Sequence, residues 1–270
     1  MKTIEKPSLV IIAHSVAYSL LSYLFVLLIS RLVTSLAANY FNIPTIIHFN
    51  KTIFVESRLS WTFDSVKVIF SAGTITGLIV GLICLVIYLK AMAMDGLLKL
   101  FFLWGFIHGI NLFVGSVVLG AFIYEGMGYV FEWLFLQDTA KMFLLFIGLI
   151  LMIGTGTLMV KPMLFSANSY YNSNYPAMRT GFIYQQFLIP YFVTTLILFL
   201  LRVPLSLYEF LLLITPGLLL LPLLIGLHKF TLFYFDENDR KIELHKVLIG
   251  VAISVLLVFR IILGFGIRIG

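Results

Sequence analysis

Ser30-Arg31-Leu32-Val33-Thr34-Ser35-Leu36-Ala37-Ala38-Asn39-Tyr40-Phe41-Asn42-Ile43 closes the first long apolar run of this chain. The run begins near Ser8 and reads as one helix to Phe41. That is longer than the ~20 residues a bilayer span needs. Arg31 near its end has two readings. The side chain snorkels to the interface, or it turns inward to a carboxylate or to a partner chain. His14 lies deeper in the same run, among Ser15, Tyr18, Ser19 and Ser22. It reads as a hydrogen-bonded intramembrane histidine, because a metal or proton site there lacks a second clear ligand.

The composition explains why this run is not exceptional. Of 270 residues, 61% are hydrophobic and 11% are charged. Soluble domains carry roughly 25% charged residues, so this chain belongs in lipid. Apolar runs near 8–36, 68–89, 97–122, 142–160, 184–201, 208–227 and 247–267 are candidate spans. The reading is an all-α polytopic membrane protein of six or seven transmembrane helices, with a small β-hairpin-like insert after the first. It forms one integral membrane domain over 1–270. The net charge of +6 is scattered between spans, which excludes a nucleic-acid-binding face. The single Cys84 lies within a span and reads as a packing residue.

The insert is Thr45 to Phe49 and Thr52 to Glu56, β-branched and aromatic runs separated by Asn50-Lys51, with a third such run at Leu59 to Phe63. That texture predicts a hairpin. In the next span Gly73, Gly77 and Gly81 recur every four residues. They line one helix face and let a neighbouring backbone approach closely. In the third span His108 and Asn111 share a face and read as bonding a neighbouring helix. Ile123 to Lys141 reads as an interfacial or re-entrant helix. Lys161 to Gly181 reads as the longest polar loop, a tyrosine-rich contact surface. His228 to Lys246 reads as a solvated hairpin. Arg260 lies deep in the last apolar run and reads as a buried charge that needs a carboxylate, carbonyls or water. Orientation stays open. Ten basic residues against seven favour a cytoplasmic N-terminus on a seven-span count.

Three fragments, taken in order, resemble the site-2 protease family of intramembrane zinc metalloproteases. The family closes a membrane helix with His-Glu-x-x-His and typically follows it with a run like Ala-Leu-Ala-Ala-x-x-Phe-Gly-Ile; Ser35 and Asn42 stand at its first Ala and its Gly. Here Leu36-Ala37-Ala38, Phe41 and Ile43 keep the apolar frame, while Ser30, Arg31 and Thr34 replace the three reactive residues. Ala72-Gly73 matches the family's Ala-Gly-Pro, with Thr74 in place of Pro. Asn111 and Gly120 match the ends of Asn-x-x-Pro-x-x-x-Leu-Asp-Gly, with Val114 for the Pro and Leu119 for the ligand Asp. Family members carry a small β element between the same two helices. The resemblance spans residues 10–135 and implies a protease-like core over 1–140, with additional helices over 141–270.

With a hydroxyl, a cation, a hydroxyl and a leucine at the ligand and base positions, the resemblance implies no metal, no cofactor and no zinc peptidase chemistry. Zinc needs imidazole, thiolate or carboxylate donors and a carboxylate base. The expectation is a non-catalytic scaffold, accessory subunit or chaperone of the bacterial cytoplasmic membrane. Its partners would be other membrane proteins, held in a groove lined by Ser30, Arg31, Thr34, His108, Asn111 and Gly120. The alternative is a transporter or channel with Arg31, His14, His108 and Arg260 along a polar pathway.

Overall fold

The computed structural model describes residues 9–55, 61–94, 96–226, 232–237, 240 and 242–270. Among them seven helical stretches are long and apolar enough to cross a membrane: Leu9–Tyr40, Phe63–Ala91, Lys99–Gly120, Asp138–Ser169, Pro176–Arg202, Leu207–Gly226 and Lys246–Phe265. The chain is an integral membrane helical protein, and the count of six or seven resolves at seven. A lipid-embedded backbone has no water to bond, so each span closes its own hydrogen bonds as helix.

Helix α1 (Leu9–Tyr40) is continuous, as its unbroken apolar run requires. Its inward face is polar: His14, Ser15, Ser19, Ser22, Ser30, Arg31 and Ser35 are all buried. Helix α2 (Phe63–Ala91) starts at a reciprocal cap. The Ser65 N–H donates to Thr62 Oγ1 at 3.2 Å, and the Thr62 N–H donates to Ser65 Oγ at 2.8 Å. The α2 glycines face α1 and the third span. A Cβ on Gly81 would sit 3.1 Å from the Gly109 backbone, and one on Gly77 would sit 2.7 Å from the Leu112 side chain. One on Gly73 would meet the Ser30 and Thr34 hydroxyls. The expected close approach is thus made against two different helices.

The third and fifth spans are each interrupted by a π turn. In the third, α3 (Lys99–Ile110) passes through Asn111–Gly115 into α4 (Ser116–Gly120). Helix α5 (Met127–Trp133) is short and leads into α6 (Asp138–Phe165). In the fifth span α7 (Pro176–Ile183) passes through Tyr184–Leu188 into α8 (Ile189–Arg202). The sixth span is α9 (Leu207–Ile214) and α10 (Pro216–Gly226), and the seventh is α11 (Lys246–Phe265). The main core packs Tyr88, Trp104, Met163, Phe182, Phe187 and Leu219 from five of these spans.

The insert forms the expected hairpin, from β1 (Thr45–Ile47) and β2 (Thr52–Phe54). Its third strand is not the Leu59–Phe63 run: 56–60 lie outside the described residues, and Phe63 opens α2. The third strand is β5 (Ile267–Ile269), which pairs with β1 so that Ile46 faces Arg268. The order β2-β1-β5 leaves β2 as an edge. A second sheet pairs β3 (Ser173–Asn174) with β4 (Phe233–Tyr234), so part of the expected 228–246 hairpin is tied to the preceding polar segment.

Two expectations are corrected. Lys161 to Gly181 is not one polar loop. Helix α6 runs through Pro162 to Phe165, α7 starts at Pro176, and Ser166, Asn168, Tyr170 and Asn174 between them are buried. Its turn-forming polar side chains bond inward, as when Asn168 Nδ2 donates to Met92 O at 3.0 Å. Burial pushes the Tyr170 phenol pKa up, so this tyrosine is part of the packing. Arg260 is not a buried charge. It is exposed on α11, five residues before the helix ends, with its guanidinium over the Phe49 ring. Among the described residues the buried cations are instead Arg31, Lys99, Lys141, Arg179 and Arg202.

Candidate functional site

A cavity of about 1060 Å³ lies between α1, α2, the third span, α8 and α9, and reaches the hairpin. Its shape follows from unequal packing. Glycines draw α2 onto α1 and α3, while α8 and α9 meet α1 through large side chains such as Leu198 and Leu213.

Arg31 and Arg202 form the electrostatic centre beside this cavity. Arg31 donates to His48 O and, at 2.6 Å, to Asn50 O. Arg202 donates to Asn50 O at 3.0 Å and to the Tyr23 hydroxyl. Both face Glu209: its Oε2 accepts from Arg202 Nη2 at 2.5 Å, and its Oε1 lies 3.8 Å from Arg31 Nη2. Arg202 is fully buried and Arg31 is 6% exposed. Two buried cations share one carboxylate, and the hairpin-turn carbonyls supply the remaining acceptors. The guanidinium fork suits this, because it offers five donors in fixed directions. Of the two readings of Arg31, the inward one holds.

Asn111 sits where the π turn begins. Its Nδ2 donates to Leu212 O at 2.8 Å. That carbonyl would normally accept from the residue four positions on, which is Pro216 and has no N–H. Asn111 Oδ1 accepts from the Thr215 hydroxyl at 2.6 Å. One amide thus satisfies the break between α9 and α10. His108 lies 3.1 Å from Ser19 Oγ through Nε2, stacks on Trp104 and meets the Tyr23 ring edge-on. As read from sequence, His108 and Asn111 bond neighbouring helices; both also line the cavity.

Ser30, Arg31, Thr34, His108 and Asn111 all line the cavity. Gly120 and Leu119 do not. Gly120 packs where a Cβ would come within 2.8 Å of Gly128 N, holding α4 against α5. Leu119 is buried elsewhere in the packing. The donor set does not fit zinc. Ser30 Oγ donates to Gly73 O at 2.9 Å and Thr34 Oγ1 to Ser30 O at 3.0 Å. The Arg31 cation stands between them in sequence, and Leu119 offers no donor. Among the described residues no three His, Cys, Asp or Glu side chains gather at one point.

The mouth is aromatic and hydroxylic. Phe54, Trp61 and Phe70 pack on one another, with centroids 5.3–5.8 Å apart. Ser206 donates to Glu125 at 2.6 Å. Sequence reading missed Arg202, Glu209 and Tyr23. Arg202 and Glu209 flank the Pro204 turn and look like ordinary span-end charges. Only the fold brings them to Arg31.

A smaller cavity of about 490 Å³ is lined by His14, Tyr18, Gly96, Tyr170 and His245, among others. His14 Nε2 accepts from the His245 N–H at 3.0 Å. No family model, no curated protein and no solved structure matches this chain.

Proposed function

We propose that this chain is a non-catalytic membrane protein with a site-2-protease-like core, acting as a scaffold, accessory subunit or chaperone in a complex of the bacterial cytoplasmic membrane. Its job is to bind a segment of another membrane protein in the large cavity. The observation that carries this reading is the use made of Ser30, Arg31 and Thr34. All three line a space large enough for side chains of a guest, yet Ser30 ties α1 to α2, Arg31 holds the hairpin, and the Thr34 hydroxyl is taken up by its own helix. A binding site benefits from such a rigid wall, because little order has to be imposed when the guest arrives. The free edge of β2 supports the same reading. Thr52 and Phe54 line the cavity, and among the described residues no strand pairs with the outer edge of β2, which a guest in extended form could use.

Purification at native abundance tests this. The expected result is a stoichiometric membrane protein partner that is lost when the cavity is filled, for example by Ser116→Phe, with no stoichiometric zinc. One zinc per chain bound near residue 30 would contradict the reading.

One observation favours transport as a second reading. Polar contacts climb α1 between the two cavities. Ser19 meets His108, the Trp104 Nε1–H donates to Ser15 Oγ at 2.9 Å, and Ser15 donates to Gln186 O at 2.5 Å. Arg260 stands outside this line. A protein that purifies alone and gives solute-dependent flux in liposomes would favour transport over binding.

A further inference from the structure

The structure assigns Arg260 to the phosphate of an anionic lipid headgroup at the hairpin end of the bundle. Helix α11 has 20 residues, which at 1.5 Å per residue matches the ~30 Å hydrocarbon thickness. Arg260 therefore starts roughly 7.5 Å inside one edge of the hydrocarbon. Helical side chains tilt toward the N-terminus, which would carry this cation deeper. Its guanidinium lies 3.6 Å from the centroid of Phe49, whose N–H donates to Leu263 O at 3.2 Å in the last turn of α11. The ring face holds the cation on the lipid side of the bundle, and from this depth a side chain as long as arginine reaches the interface.

Among the described residues no carboxylate pairs with Arg260, and the Phe49 ring leaves its N–H donors unused. Leu257, Val258, Ile261 and Ile262 around it are exposed, so it faces lipid rather than the bundle. At that depth the acceptors on offer are headgroup phosphates and interfacial water. Two further observations favour an anionic lipid. Arg268 on the outer face of β5 and Lys51 at the hairpin turn are both exposed, and among the described residues neither is in an ion pair. The nearby carboxylate of Glu209 is turned inward to Arg31 and Arg202. At the same end Asp64 pairs with Lys67, Glu132 and Asp138 pair with Lys141, and Glu125 accepts from Ser206, so Arg260, Arg268 and Lys51 are left to external anions; a guanidinium grips phosphate through two parallel bonds.

The test is native mass spectrometry of the purified full chain in detergent, titrated with dioctanoyl phosphatidylglycerol, with dioctanoyl phosphatidylcholine and with inorganic phosphate. The wild type is expected to prefer phosphatidylglycerol about fivefold, the value of one interfacial cation. Arg260→Gln is expected to lose most of that preference. Arg260→Lys keeps the charge but not the fork and serves if the Gln variant does not fold; it should keep the preference while its affinity for both phosphate-bearing lipids falls about twofold. Equal binding of both lipids by the wild type, a Gln variant matching a selective wild type, or a Lys variant of undiminished affinity overturns the assignment. So does full displacement by inorganic phosphate at equal concentration, which would make the site one for free anions.

Discussion

Replacing Glu209 by Gln removes the one carboxylate shared by Arg31 and Arg202 while keeping the shape of the side chain. The two guanidinium groups then face each other with only carbonyl oxygens and the Tyr23 hydroxyl as acceptors. Removing one partner of a buried ion pair costs about 3–5 kcal/mol. Glu209 is 24% exposed and Gln still accepts one bond, so about 2–3 kcal/mol is the expected loss. Reversible unfolding in mixed detergent–lipid micelles, followed by tryptophan fluorescence, measures it. The loss should be local in origin, because the hairpin carbonyls are what the two cations hold. Hydrogen exchange at the Phe49 N–H should therefore accelerate before exchange in α3 does. Arg202→Met combined with Glu209→Leu still leaves Arg31 buried without a carboxylate and should not recover the loss; adding Arg31→Met, which removes all three charges, should recover much of it, since apolar isosteres often replace buried ion networks at little cost. A Glu209→Gln variant within about 0.5 kcal/mol of wild type, with unchanged exchange at Phe49, would refute the clamp.

Three further outcomes follow from the same geometry. Gly81→Leu should cost more than about 2 kcal/mol by forcing α2 off α3, whereas Gly154→Ala, with open space beyond its Cα, should be neutral or stabilise by ~0.5 kcal/mol; the unfolding assay separates them. Asn111→Leu should cost about 1 kcal/mol, because Leu212 O keeps only the Thr215 hydroxyl, 3.0 Å away, as a donor, and adding Pro216→Ala, which restores the missing N–H, should return part of it. Deleting 267–270 should expose the β1 edge and raise hydrogen exchange at Thr45 and Ile47 without altering exchange in α6.

Much of the fold was readable because lipid leaves the backbone few choices. Each long apolar run had to become a helix, and the Gly73, Gly77 and Gly81 spacing had to meet a close neighbour. The hairpin was readable from β-branched runs around Asn50-Lys51. Its third strand was not, because Ile267–Ile269 lies more than 200 residues from β1 and three residues carry no pairing signal of their own. Arg260 misled for a related reason. Hydropathy measures depth along the chain, while a long side chain chooses its own depth, and Phe49 gave it somewhere to go. For the site, Arg31 and Asn111 stood out as polar groups in apolar helices. Arg202 and Glu209 did not, since span-end charges are usual and only folding makes these two face Arg31. The tyrosine-rich 161–181 segment looked solvated by composition, yet Asn168 and Ser169 donate to the Met92 and Gly96 carbonyls and Asn174 to Leu164 O.

Photocrosslinking in native membranes tests the binding reading most directly. A photoreactive residue at Leu112 or Thr52 faces the large cavity, and one at Ile150 faces lipid, being 69% exposed. A discrete protein adduct from the first two positions and none from the third is the predicted result. Lipid adducts alone from every position, or the same protein adducts from all three, would contradict it.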